Sequence, residues 1–85
     1  MFRKRKNERK LEVLEFVANS GQITSFDLAD ALDLEIHLSR MLLLNYHRQG
    51  LLSRRSLNGL QKIYHVTDKG LTRIRWLKEH VTIAE

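Results

Sequence analysis

Arg40, Arg48, Arg54, Arg55 and Lys62 are the only lysines and arginines between residues 36 and 66, and no acid lies among them. Uncompensated cations at irregular spacing suit the holding of an anionic polymer better than the making or breaking of bonds. The other chemistry-bearing residues point the same way. His37, His47, His65 and His80 have neither HExxH nor i, i+4 spacing, and no cysteine accompanies them, so a metal site is not expected. There is no glycine-rich phosphate loop, and no serine sits in a nucleophile elbow. The chain reads as a non-enzyme, without a cofactor, a metal ion or an evident small-molecule ligand.

Charge is also segregated along the rest of the chain. The net charge is +5 over 85 residues, yet residues 1–10 hold six Lys/Arg against one acid, and residues 11–35 hold six acids and no Lys/Arg. A chain of this length supports one small domain, which buries only roughly 60–65% of the surface its unfolded form exposes, so help from a partner subunit is expected. No apolar run approaches the roughly 18 residues needed to span a bilayer, and FRKRKNERK lacks the apolar core of a signal peptide behind it. With no disulfide framework either, the expected setting is cytoplasmic, with no membrane partner.

The elements that must position these residues follow from spacing and punctuation. Leu11, Leu14, Val17 and Ala18 recur at helical intervals and Asn19-Ser20-Gly21 is a stop, which predicts a helix over about 7–19. Residues 22–24 form a short extended piece. A second helix opens at Thr24 or Ser25 with Asp27 near its positive end, buries Leu28, Ala29 and Leu32, and ends near Asp33. A third runs over about 35–49 and stops at Gly50. Two β-prone runs then flank Asn58-Gly59, a dipeptide favoured in two-residue hairpin turns. With that turn, Leu51, Ser53, Arg55, Lys62, Tyr64 and Val66 share one face, and Leu52, Arg54, Ile63 and His65 the other. Thr67 caps a last helix through about residue 80, with Gly70, Ile74, Leu77 and Val81 in a stripe joined by Leu71. Residues 1–6 are expected to be a mobile basic arm and residues 7–85 one domain.

The predicted class is α+β, mainly α, in the order helix-strand-helix-helix-hairpin-helix, which is the arrangement of a winged helix-turn-helix domain. LADALDLEIHLSRMLLLNYHRQGLL resembles the MarR- and PadR-like transcription regulators of bacteria and archaea, with Leu28, Ala29, Leu32, Leu34, Gly50, Leu51 and Leu52 at the matching positions. YHVTDKGLTRI resembles the same family's strand-to-helix junction at Tyr64, Val66, Thr67 and Gly70. The turn between helices two and three commonly carries glycine in the family, where this chain has Asp33. That residue tolerates left-handed geometry or could instead cap the next helix. Helix three opens with Glu35, Ile36, His37 and Leu38 where the family often has small polar residues.

The resemblance implies a DNA-binding regulator whose third helix enters the major groove of double-stranded DNA. At about 3.6 residues per turn, Ser39, Leu42, Leu43 and Tyr46 form the core side of that helix. His37, Arg40, Met41, Leu44 and Arg48 face outward, where the cations suit phosphates or base edges and Met41 and Leu44 suit thymine methyls. Arg54, Arg55 and Lys62 give the hairpin the cations a wing needs for flanking backbone. Arg3, Lys4, Arg5 and Lys6 are candidates for a DNA-tracking arm. Phe16 and Trp76 lie opposite the core stripes of their helices, with Val13 between faces, and are the expected anchors of a homodimer interface. The rival reading is a winged-helix protein-interaction module in a larger assembly, without direct DNA contact.

Overall fold

The computed structural model of the protein describes residues 5–59 and 61–83. It contains α1 (Lys6–Ser20), α2 (Ser25–Leu32), α3 (Ile36–Arg48), β1 (Leu52–Ser56), β2 (Lys62–Val66) and α4 (Asp68–Ile83). The two strands form an antiparallel hairpin, and Ile23 adds a one-residue bridge to Tyr64 on its far edge. No described helix is long and apolar enough to cross a membrane.

The boundaries of α2 and α3 have local causes. Thr24 caps α2 through a reciprocal box: its hydroxyl accepts from the Asp27 N–H, and the Asp27 carboxylate accepts from the Thr24 N–H at 2.9 Å. Asp33 then turns the chain in the left-handed region, at φ 54° and ψ 51°. Of the two roles open to Asp33, this leaves the capping of α3 to Glu35, whose carboxylate accepts from the Leu38 N–H. α3 ends at Gly50, φ 80°, with the Gly50 N–H on the His47 carbonyl and the Leu51 N–H on the Tyr46 carbonyl, both at 3.0 Å. That paired arrangement needs a residue of positive φ, which glycine adopts without strain.

The core is one cluster under the helices and the hairpin. Val13, Leu14 and Val17 of α1 meet Leu28 of α2, Leu43 and Tyr46 of α3, Leu51, Leu52 and Tyr64 at the hairpin, and Ile74 and Leu77 of α4. Ser39 is fully buried, and its hydroxyl donates to the Ser25 carbonyl at 2.7 Å, pinning α3 to the first turn of α2. The end of α3 is tied to the start of α4 by Thr67. Its hydroxyl donates to the Gly50 carbonyl at 2.6 Å and accepts from the Gly70 N–H at 3.0 Å, while its own N–H reaches the Leu51 carbonyl.

Several sequence expectations need correction. Val13 is completely buried in the monomer's core, because the first helix turns more of its circumference inward than the Leu11, Leu14 and Ala18 stripe indicates. It therefore cannot contact a partner subunit. Leu71 does not join the α4 stripe but is 46% exposed, one residue round the helix from buried Gly70. α4 continues to Ile83, and α1 begins at Lys6, so that residue belongs to the domain and not to a leading arm.

The hairpin register is shifted by one. Leu52 pairs with Val66, Arg54 with Tyr64 and Ser56 with Lys62, while Ser53 pairs with His65 and Arg55 with Ile63. The Leu57 N–H bonds the Gln61 carbonyl, leaving three residues in the loop, and the Asn58 side-chain oxygen accepts from the Gln61 N–H across it. That side-chain bond closes a wider loop than the two-residue turn which Asn58-Gly59 suggests. Arg54 consequently shares a face with Tyr64 and Lys62, and Arg55 lies on the other.

Lys10 sits at a core position of α1 and is 7% exposed. Its ammonium donates to the Gln49 side-chain oxygen at 2.9 Å and lies 5.7 Å from the centre of the Tyr46 ring. Burial, reinforced by the positive charges of Arg73 and Lys6, pulls its pKa below the usual lysine value. Burial likewise pushes the Tyr46 hydroxyl up to about 12. The charged lysine thus opposes folding slightly at neutral pH, an opposition relieved only in alkali, where the folded form loses its proton first.

Candidate nucleic-acid interface

The two ends of the acid-free segment converge. Arg40 and Leu44 of α3 face Arg54, Lys62 and Tyr64 of the hairpin across an open cleft of about 230 Å³, whose remaining wall is the start of α2 at Thr24, Ser25 and Phe26, with Gln61 from the hairpin loop. Three cations thus line one groove. Lys62 donates to Ser56 across the strand pair at 2.9 Å, which holds its ammonium on the cleft side.

The remaining candidates are distributed around this cleft. His37, Met41 and Arg48 are exposed along the outer side of α3, continuous with Arg40, and Leu44 is half-buried where that side meets the cleft. Arg55 is exposed, but on the opposite face of the hairpin, where its guanidinium donates to the Gln22 side chain at 3.3 Å. Arg5 and Lys6 share a depression with His80 and Val81 at the far end of α4, away from the cleft. Arg3 and Lys4 lie outside the described residues.

Phe26 is a functional candidate that the sequence reading passed over. It is 49% exposed, and the Arg40 guanidinium lies 5.6 Å from its ring centre. Such stacking restricts a long side chain and directs its charge without neutralising it. The signal was present in the sequence: Phe26 lies two residues before core Leu28, about 200° around the helix, so an aromatic there has no place in the core.

Of the expected interface anchors, Trp76 is 44% exposed, stacked on the His80 ring at 3.8 Å and flanked by Arg73 at 5.8 Å. Phe16 is half-buried against the core. Among the described residues no group of three or more His, Asp or Glu side chains gathers as a metal site would require.

No protein-family model and no curated protein matches the sequence. Solved structures do match in fold. A mutant MarR from E. coli complexed with operator DNA superposes with a TM-score of 0.74 over 84% of this chain, at 15% identity and 52% of its own length. The antimony-specific transcriptional repressor AntR gives 0.74 over 93% of this chain, at 22% identity and 68% of its length. The PcaV transcriptional regulator from Streptomyces coelicolor, in complex with its natural ligand, gives 0.77 over 87%, at 20% identity and 54% of its length. The protein thus has the winged-helix fold of MarR-type regulators, and it spans little more than half the length of most of the structures it matches.

Proposed function

We propose that this winged helix binds double-stranded DNA as a transcription regulator, with α3 in the major groove and the hairpin on the flanking backbone. The observation that carries the reading is the convergence of Arg40, Arg54 and Lys62 on one cleft, within a segment that contains no acid from residue 36 to residue 66. The helix-turn-helix geometry supplies the reach: Ser39 locks α3 onto α2, which leaves the opposite side of α3 free to enter a groove. A MarR with this fold is complexed with operator DNA, which supports the same docking. A regulator of this kind acts in the cytoplasm and catalyses no reaction.

Counterion release provides the test. If five to eight cations engage phosphates, log affinity for a random-sequence duplex falls against log salt with a slope of roughly −4 to −7. Fluorescence anisotropy with a labelled duplex at several salt concentrations measures it. A flat response overturns the DNA reading and favours the rival module that docks other proteins, for which the exposed Met41 and Leu38 side chains on α3 are the supporting observation.

The homodimer rests on Trp76, with Phe16 as a weaker contributor. An indole left 44% exposed on a helix is an anchor for a second subunit, and a two-fold pair would present two wings to two half-sites. Sedimentation equilibrium is expected to show a dimer at about tens of micromolar, weakened at least about ten-fold in Trp76→Ala. A monomeric wild type at that concentration ends the proposal.

A further inference from the structure

The outward side of α3 is apolar at its centre. Met41 projects about 200° around the helix from buried Ser39 and is 67% exposed. Leu44 flanks it on the wing side, and Leu38 and Asn45 on the other, with a shallow depression of about 270 Å³ between them that Arg48 borders. Phosphate oxygens reward none of these apolar groups. Yet the frame around them is cationic: Arg40 and Arg48 stand at its edges with His37, none of the residues that line the depression is acidic, and the carboxylate of Glu35 is held by the Leu38 N–H.

A surface with an anionic rim and an apolar floor complements this face. The major groove of duplex DNA has that character where it carries thymine, whose C5 methyl stands beside its O4 acceptor, and the paired adenine offers a donor and an acceptor that an Asn side chain can match bidentately. We infer that α3 reads thymine methyls through Met41 and Leu44, with Asn45 beside them on the adenine edge, so that the protein selects A·T-rich major groove. The inference rests on the DNA-binding reading above and names what that surface selects.

The discriminating pair of probes is alternating poly(dA–dT) and poly(dA–dU), which differ only in the C5 methyl. Moving one methyl out of water is worth about four-fold in affinity, so the 85-residue chain is expected to bind the thymine duplex roughly three- to ten-fold more tightly at the same salt. Met41→Ala should close that gap to below about two-fold, its loss falling more heavily on the thymine duplex than on poly(dA–dU). The side chain is exposed, so the fold tolerates its loss, and Met41→Gln, which keeps the length and removes the apolar end, should behave alike. Equal affinity for both duplexes overturns the methyl readout while leaving DNA binding intact. A gap that survives in both Met41 variants and in Leu44→Ala takes the readout away from this helix face. No binding to any duplex at low salt overturns the DNA reading as well, and assigns the face to a protein partner.

Discussion

Gly70→Ala is expected to destabilise the protein by about 2–3 kcal/mol, although the same exchange in an ordinary helix interior stabilises by about 1 kcal/mol. The reversal comes from packing. A Cβ built on Gly70 runs into the Leu51 carbonyl oxygen and meets the Val66 Cγ1 at 2.7 Å. The Val66 methyl can rotate away, but the carbonyl cannot. Leu51 carries the hydrogen bond to the Thr67 N–H and ends the glycine-terminated turn of α3, so shifting it loosens the junction of α3, the hairpin and α4 together. A domain of this size is stable by roughly 4–13 kcal/mol, which makes such a loss a large fraction of the whole. Urea denaturation followed by circular dichroism should show a lower midpoint with an unchanged slope. Gly59→Ala, where nothing lies within 4 Å of the new Cβ, is the control and should stay within about 0.5 kcal/mol of wild type. A Gly70→Ala variant as stable as that control would show that the close approach is not what keeps glycine at this position.

That junction also shows what a sequence makes legible. Gly50-Leu51-Leu52 and Val66-Thr67 with Gly70 are separate motifs on the page, yet in the fold they touch, through the Thr67 hydroxyl on the Gly50 carbonyl and the Gly70 backbone against Leu51. Local rules predict each of them: a helix stop, a cap, a stripe. The core side of α3 was readable for the same reason, since Ser39, Leu43 and Tyr46 fall on one side by period alone and are buried. Features set by what lies opposite were less legible. Val13 looks marginal on its own helix and is covered once α1 is packed. Lys10 holds a core position because its aliphatic stem fits there and Gln49, 39 residues away, receives its ammonium. The hairpin slipped by one residue because the Asn58 side chain closes a wider loop, a bond no dipeptide rule encodes. A one-residue slip exchanges the faces of a strand pair. For the candidate site this decided which arginine joins the cleft.

The corrected register yields an unequal pair of arginines. Arg54, on the Tyr64 face, looks into the same cleft as Arg40 and Lys62, whereas Arg55 lies behind the hairpin on Gln22. Arg40→Ala combined with Arg54→Ala should weaken binding to a random duplex by roughly thirty-fold, and the slope of log affinity against log salt should become shallower by about two, as expected for the loss of two phosphate contacts. Arg55→Ala should cost less than about three-fold, because its guanidinium already has a neutral partner and faces away from the groove. The loss in the double variant should be the same for every sequence, since backbone contacts carry no sequence information. Phe26→Ala extends the argument: without the ring beneath it, Arg40 is less restrained, so part of the Arg40 loss should be reproduced with the full charge retained. Anisotropy titrations of these three variants, and of Arg40→Ala and Arg54→Ala singly, at matched salt measure all of this. If Arg55→Ala weakened binding as much as Arg54→Ala, the duplex would have to reach both faces of the hairpin, and the cleft between α3 and the wing would lose its claim to be the backbone site.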